Sequence, residues 1–207
     1  MHHRKHLFTT LALLIGTHSM AVAATGWPSS ARPTLTPKVT YEKFDGGEIE
    51  HLILEGAGVR FKTGNDVTLK QVDPDPRYSI LFEHTRYPGS QVGLALFSRS
   101  EFLTAIESSA WDNYLSSLRY AYPIGLEIIS DHGPEETAKR FPIMGSPYRE
   151  LTYSYRIDEE GPTIIRREYI VTMKDKLLVG VVESAEPYFQ PVSRSIRSLL
   201  VGMYQEN

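Results

Sequence analysis

Beyond residue 48, apolar residues of the chain alternate with polar ones or form short apolar runs, a pattern typical of β-strands. Two turn signals divide the early strands. Gly64-Asn65-Asp66 predicts a turn, and Tyr87-Pro88-Gly89-Ser90 suits a hairpin. The predicted strands are Ile49–Leu54, Val59–Phe61, Val67–Leu69, Tyr78–His84, Gln91–Phe97, Leu126–Ile129, Leu151–Tyr155, Ile164–Met173 and Leu177–Glu183.

Two stretches have the three- and four-residue spacing of an amphipathic helix. The first begins near Ser108 or Ser109, either of which can cap it, and ends before Pro123. The second covers about Gln190 to Tyr204. Gly133–Glu136 predicts a single helical turn, because proline and then acidic residues open it. The apolar faces of the two helices are Trp111, Tyr114, Leu115, Leu118 and Tyr122, and Val192, Ile196, Leu199, Leu200 and Met203.

This order of elements predicts the α+β class, with an antiparallel β-sheet and helices packed on it. A short amphipathic helix is stable in water only when its apolar face is covered, so both helices should lie on the sheet. The folded part is predicted to be one domain, residues 39–207.

The element order resembles that of the PsbP-like and DcrB-like fold family over about Val59 to Tyr204. The resemblance implies an αβα sandwich and an accessory or binding protein without enzymatic activity. No residue motif accompanies it, so no site residue is transferred from the family. The segments that carry it are the strand-rich start, the helix at Ser109–Ala121, the strand Leu151–Tyr155, the hairpin Tyr169–Met173 with Leu177–Val182, and the helix Val192–Met203.

The N-terminus has the three parts of a cleavable secretory signal peptide. A basic start with Arg4 and Lys5 precedes the apolar run Leu7–Ile15, and Ala21-Val22-Ala23 has the small-residue pattern of a cleavage site. A membrane anchor would need roughly 20 consecutive apolar residues, and Gly16–Ser19 interrupts this run. We therefore expect residues 1–24 to be removed, with no transmembrane segment in the mature chain, and a periplasmic or extracellular location. The proline-rich segment 25–38 is a predicted flexible leader.

Composition narrows the possible chemistry. The 207 residues include no cysteine, which excludes disulfides, thiolate catalysis and cysteine-ligated metals. The formal net charge is −3, and loss of Arg4 and Lys5 with the signal peptide makes it more negative. Such a balance disfavours general binding of nucleic acid, which needs a basic surface.

No motif in the sequence identifies a catalytic, cofactor-binding or metal-ligating residue. His132, with Asp131 and Glu135, is the one group worth testing, although a solvated loop is the simpler interpretation. His51 and His84 are predicted to be half-exposed strand residues. We therefore expect an exported, non-enzymatic accessory or binding protein whose partner is a protein, an envelope component or a small molecule. The alternatives are a secreted hydrolase with a non-local site that includes Asp131, His132 and Glu135, and a surface assembly subunit.

Aromatic and arginine residues concentrate in the C-terminal third. The simpler interpretation of the aromatic residues is packing in the core and at the edges. The alternative is a pocket between the sheet and the last helix, with tyrosine hydroxyls as orienting groups. The arginines are predicted to face solvent or to add a charged patch to that pocket. These residues are Tyr148, Tyr153, Tyr155, Tyr169, Tyr188 and Phe189, and Arg166, Arg167, Arg194 and Arg197.

Overall fold

The computed structural model describes residues 37–44, 47–54, 59–62, 66–69, 78, 80–98, 108–140, 142–143, 145–173, 176–202 and 204–205. The predicted signal peptide, residues 1–24, and the leader up to residue 36 lie outside the described residues. The elements are β1 (Pro37–Phe44), β2 (Gly47–Leu54), β3 (Val59–Lys62), β4 (Val67–Leu69), β5 (Ile80–His84), β6 (Gln91–Ser98), α1 (Ser108–Ala121), β7 (Glu127–His132), α2 (Pro134–Thr137), β8 (Tyr148–Tyr155), β9 (Ile164–Thr172), β10 (Lys176–Ala185), a 3₁₀ turn (Glu186–Tyr188), α3 (Phe189–Val201) and β11 (Tyr204–Gln205).

The described strands form two antiparallel sheets. The larger has seven strands in the order β4-β5-β6-β10-β9-β8-β7, and the smaller has four in the order β1-β2-β3-β11. Strands that follow one another along the chain, β7 to β10, pair in sequence to build one half of the large sheet. The pairing of β6 with β10 joins this half to the earlier strands.

Each face of the large sheet carries its own apolar cluster. Successive side chains of a strand point to opposite faces, so one strand contributes to both clusters. On one face α1 packs through Trp111, Tyr114 and Leu118. On the other face α3 packs through Val192, Leu199 and Leu200. The predicted α+β fold, an antiparallel sheet with helices packed on it, is confirmed.

The two helices begin and end close to their predicted positions. Tyr122 follows the last residue of α1 and remains buried beside Tyr153 and Tyr155. The C-terminal helix is shorter than predicted: α3 ends at Val201, and Tyr204–Gln205 pairs with β3 as a strand. The single turn predicted at Gly133–Glu136 is α2.

Of the turn predicted at Gly64-Asn65-Asp66, the structure describes Asp66, which lies in a turn. Two boundaries differ from their predicted positions. The strand predicted at Leu126–Ile129 runs instead from Glu127 to His132, which places His132 in the sheet and not in a loop. The first described strand begins at Pro37, inside the predicted leader 25–38.

Candidate functional site

The most enclosed polar group of the described chain is an ion pair between Arg166 and Glu168 on β9. Arg166 Nε lies 2.8 Å from Glu168 Oε1, and the two side chains are only 2% and 0% exposed. They are two residues apart in a strand and therefore share a face, the face beneath α1. Burying such a pair is costly unless its remaining hydrogen-bonding groups are satisfied. The expectation that Arg166 faces solvent is wrong.

Surrounding side chains satisfy this pair. Tyr114 on α1 donates to Glu168 Oε2 at 2.5 Å, and Tyr153 donates to Glu168 Oε1 at 3.1 Å. Arg166 Nη1 donates to the Tyr78 hydroxyl and to Glu183 Oε2, each at 3.2 Å. Burial, followed by the charge of Glu168, raises the pKa of Tyr114 well above its usual value, so this hydroxyl stays protonated and donates. The network fixes α1 on the sheet.

A second polar group joins α1 to the edge of the sheet. Asp131 accepts two hydrogen bonds from Arg149, from Nε at 3.0 Å and from Nη2 at 2.8 Å. The indole Nε1 of Trp111 donates to the same carboxylate at 2.8 Å. The Arg149 guanidinium also lies 3.8 Å from the centre of the Trp111 ring. Asp131 is thus a structural anchor with three donors.

The structure separates the residues of the predicted hydrolase group. His132 is adjacent to Asp131 in a strand and so projects from the opposite face. Its Nδ1 lies 3.1 Å from Glu136 Oε2, while Asp131 bonds to Arg149 and Trp111. In the described part of the chain, no three His, Asp or Glu side chains are close enough together to hold a metal ion.

His84 has Ser195 and Asp66 close by. In a hydrolase triad the histidine lies between the serine and the acid, whereas here the serine lies between the histidine and the aspartate. His84 Nε2 lies 3.2 Å from Ser195 Oγ on α3, and its Nδ1 accepts a hydrogen bond from the backbone N–H of Arg86. In a neutral ring with Nδ1 accepting, Nε2 carries the proton, so His84 donates to Ser195. It cannot remove the serine proton in this form. Asp66 lies 3.5 Å from Ser195 Oγ.

His84 is 3% exposed and not half-exposed as predicted. Burial lowers its pKa; the charge of Arg86 acts in the same direction and that of Asp66 against it. The side chain is therefore a neutral core residue that ties β5 to α3. The described structure does not cover the side chain of His51.

The aromatic residues of the C-terminal third divide between the two faces. Tyr153 and Tyr155 belong to the cluster beneath α1, whereas Tyr148, Tyr169 and Phe189 belong to the cluster beneath α3. Core packing, the simpler interpretation, accounts for the rings of these five residues. The sixth, Tyr188, remains 49% exposed and stacks on Tyr87.

A cleft of about 290 Å³ lies where β7 begins, β8 ends and β9 begins. The sequence predicted a pocket between the sheet and the C-terminal helix. This cleft lies at the ends of β7, β8 and β9 instead, so the prediction is wrong for it. Close to it, the backbone N–H of Arg156 donates to the carbonyl of Ile124 at 2.9 Å, joining the segment before β7 to the end of β8. The cleft is lined by Ile124, Gly125, Glu127, Ser154, Arg156, Glu159 and Thr163.

Large apolar side chains are exposed around this end of the sheet. β7 is an edge strand, and its Ile128 and Ile129 are 41% and 51% exposed. The pairing of β7 with β8 shifts between Ile128 and Ser130, so Ile129 is the extra residue of a β-bulge. Tyr120 and Ile157 are 88% and 63% exposed, and both are within four residues of the bond between Arg156 and Ile124. We call Tyr120, Ile128, Ile129 and Ile157 the edge patch.

The sequence pattern predicted neither the edge patch nor the Arg166–Glu168 pair. Strand alternation could have indicated the pair. Arg166 and Glu168 lie on the same face of β9 as Ile170, which is buried, and the residues between them lie on the α3 face. The sequence of β7 gives no comparable sign of the edge patch, because the position of a strand within its sheet cannot be deduced from the residues of that strand alone.

Comparisons with known proteins describe the fold. No protein-family model matches the chain, and no curated protein matches it. Among solved structures, the chain is similar to cyanobacterial PsbP (CyanoP) from Synechocystis, with 12% identity over 82% of this chain and 92% of that one, and a TM-score of 0.48. It is also similar to LpqN, involved in cell envelope biogenesis in Mycobacterium tuberculosis, with 8% identity over 83% and 92% of the two chains and a TM-score of 0.48.

A third similar structure is the Ran-binding protein Mog1p of Saccharomyces cerevisiae, with 8% identity over 82% and 96% of the two chains and a TM-score of 0.46. PsbP, one of these structures, gives its name to the family whose order of elements this sequence resembles. At these identities the likeness concerns the fold alone, so function has to come from the side chains. Among the described helices, none combines the length and apolar character needed to cross a membrane.

Proposed function

We propose that this chain is an exported, non-catalytic accessory protein that binds a partner protein through the edge patch. The observation that carries the proposal is the exposure of Ile128 and Ile129 on an edge strand. Edge strands normally carry charge or are covered, because unpaired backbone groups beside apolar side chains favour association. β7 also carries Glu127, Asp131 and His132, so its two exposed isoleucines are the apolar part of an otherwise charged edge, and that part is the docking surface of this proposal.

The shape of this edge favours contact through side chains. A bulge interrupts regular pairing at Ile129, which hinders the addition of a long, regular strand. Tyr120 and Ile157, which are four positions and one position along the chain from the cleft-lining residues Ile124 and Arg156, add exposed apolar side chains outside β7. A partner that presents an apolar surface to the isoleucines fits this arrangement.

The rest of the proposal concerns export, which rests on the signal-peptide pattern of residues 1–24. The test is the mass and N-terminal sequence of the protein recovered outside the cytoplasm of a bacterial host. A start at Ala24 or Thr25 is expected. An intact N-terminus in the cytoplasmic fraction would contradict export without affecting the edge patch.

The absence of cysteine from the whole chain allows a direct test of docking. Ile129→Cys provides a unique thiol for a photo-crosslinker, and Tyr188→Cys is a control at a similarly exposed position, 49% against 51%. We expect Ile129→Cys, and not Tyr188→Cys, to give one discrete crosslinked species in the native host. Adding Ile128→Glu should abolish it.

The mass of the crosslinked species separates two kinds of partner. A species heavier by another protein supports the proposal. A species of twice the mass of this chain supports the alternative of a surface assembly subunit. Equal crosslinking at both positions would show that the edge patch has no special role.

A further inference from the structure

A second candidate site lies on the sheet face that carries α2 and α3, away from the edge patch. The strand register places Glu150 on β8 opposite His132 on β7 and opposite Tyr169 on β9. Side chains at directly opposed positions share a face and are close neighbours. The same face carries Arg167, opposite Thr152. Polar groups from three strands are thus brought together next to α3.

Positive charge converges on Glu150, which is 8% exposed. Arg140 Nη1 lies 3.5 Å from Glu150 Oε1, and Arg167 Nε lies 3.8 Å from the same oxygen. Two guanidinium groups therefore share one carboxylate, at distances longer than a good hydrogen bond. The three residues together carry one surplus positive charge.

Arg167 is held in place by neighbours other than Glu150. Its Nε donates to Thr152 Oγ1 at 2.9 Å, and its Nη1 donates to Ser193 Oγ of α3 at 3.0 Å. The guanidinium also lies 5.1 Å from the centre of the Phe189 ring. A guanidinium fixed by neutral groups keeps its charge available to a ligand without further ordering.

Another arginine faces this region from α3. Burial and the charge of Glu150 raise the pKa of Tyr148, while the charges of Arg197 and Arg140 act in the opposite direction. Arg197 follows Ser193, the partner of Arg167, by one turn of α3, so the two residues lie on the same side of the helix. The Tyr148 ring lies 5.9 Å from the ring of Tyr169. We call Arg140, Arg167 and Arg197 the arginine cluster.

The Tyr169 hydroxyl is the independent observation that points to a ligand. Tyr169 is 1% exposed, and its hydroxyl has no hydrogen-bond partner among the described residues. A buried hydroxyl is normally paired, since leaving it unpaired costs free energy. The strand register places Tyr169 beside Glu150, within the region of the arginine cluster.

We propose that the arginine cluster is a binding site for an oxyanion, a carboxylate or phosphate group, with Tyr169 as its neutral hydrogen-bond donor. Guanidinium groups match both oxyanions in shape and charge. Glu150 orients Arg140 and Arg167 and limits affinity by repelling the incoming anion. The site is independent of the edge patch and of the partner proposed for it.

The test measures thermal unfolding of the full mature chain with inorganic phosphate or succinate, against sodium chloride at matched ionic strength. A ligand of the folded state raises the unfolding temperature in a saturable way. We expect one or both anions to do so. If only phosphate raises the unfolding temperature, the site binds a phosphate group, and if only succinate does, the site binds a carboxylate. If both do, the site recognises the oxyanion chemistry that the two share.

Three variants locate the site. Arg140→Gln and Tyr169→Phe should each weaken the apparent affinity roughly tenfold or more, as expected when a charge-assisted hydrogen bond is lost. Arg119→Gln, on the exposed face of α1, should bind as the wild type does. Without anion, Tyr169→Phe should unfold at the same or a higher temperature, because its hydroxyl has no partner among the described residues.

Two results would overturn the proposal. One is that neither anion exceeds the effect of chloride. The other is that Arg140→Gln or Tyr169→Phe binds as tightly as the wild type. A lower unfolding temperature of Tyr169→Phe without anion would also count against it, since the hydroxyl would then have a partner in the protein itself.

Discussion

The Tyr114 hydroxyl donates to Oε2 of Glu168 at 2.5 Å and so connects the middle of α1 to a carboxylate at the centre of the sheet. Both residues are buried. Together with the hydrogen bond from Trp111 to Asp131, this contact fixes the position and orientation of α1 above β9.

Removing that hydroxyl should destabilise the fold. Tyr114→Phe keeps the ring and leaves Glu168 with fewer donors, so we expect a loss of about 1.5–3 kcal/mol in the free energy of unfolding. Urea denaturation followed by circular dichroism measures it. Tyr120→Phe, on the same helix and 88% exposed, is the matched control and should change little. Equal effects of the two variants would mean that the buried hydrogen bond contributes nothing.

Removing one partner of the buried ion pair should lower the free energy of unfolding more than replacing both partners with apolar residues. Glu168→Gln leaves Arg166 without its nearest carboxylate, and we expect a loss of about 3–5 kcal/mol. The double variant Arg166→Met with Glu168→Leu removes both charges and should recover a large part of that loss. Denaturant unfolding of the single and double variants decides the matter. A double variant less stable than Glu168→Gln would show that the ion pair itself stabilises the fold.

His84 should make stability depend on pH. Its folded pKa lies below the unfolded value of about 6.5, so between these two values the unfolded chain binds more protons than the folded one. The contribution of His84 to the free energy of unfolding is therefore fully present above pH 6.5 and is lost as the pH falls through the folded pKa. We expect His84→Gln to flatten this part of the curve. Urea midpoints from pH 7.5 to pH 5 measure the slope, and parallel curves for wild type and variant would exclude the effect.

Gly93 allows the ring of Tyr78 to lie directly on the sheet. A Cβ at this position would be 2.4 Å from two ring carbons of Tyr78, closer than real contacts. Gly93→Ala should therefore destabilise by about 1–3 kcal/mol through overpacking. In a Tyr78→Ala background the same change should cost much less, because the obstructing ring is gone. Additive effects in this double-mutant cycle would contradict the contact.

The sequence predicted the elements better than the contacts between them. Regular spacing of Trp111, Tyr114 and Leu118 predicted α1, because helix periodicity is a local property. Which strands are neighbours is not local. Position 84 and position 195 are far apart along the chain, so burial of His84 against Ser195 could not be inferred from residues near either one.

The candidate sites were the hardest part to predict, for a related reason. Arg166 and Arg167 look alike in sequence, yet one is enclosed beneath α1 and the other lies partly exposed beside α3. Alternation predicts that they point to opposite faces, but not which face a helix covers. The composition of β7 likewise gave no sign that the strand lies at an edge.

The pairing of β11 with β3 affects the timing of folding. Tyr204 pairs with Arg60, 144 positions earlier in the chain, so the smaller sheet remains incomplete until a ribosome has synthesised nearly all of the described residues. Pairings this distant in sequence raise contact order and slow folding. The smaller sheet should therefore be completed after the seven-stranded sheet, whose last strand ends at Ala185.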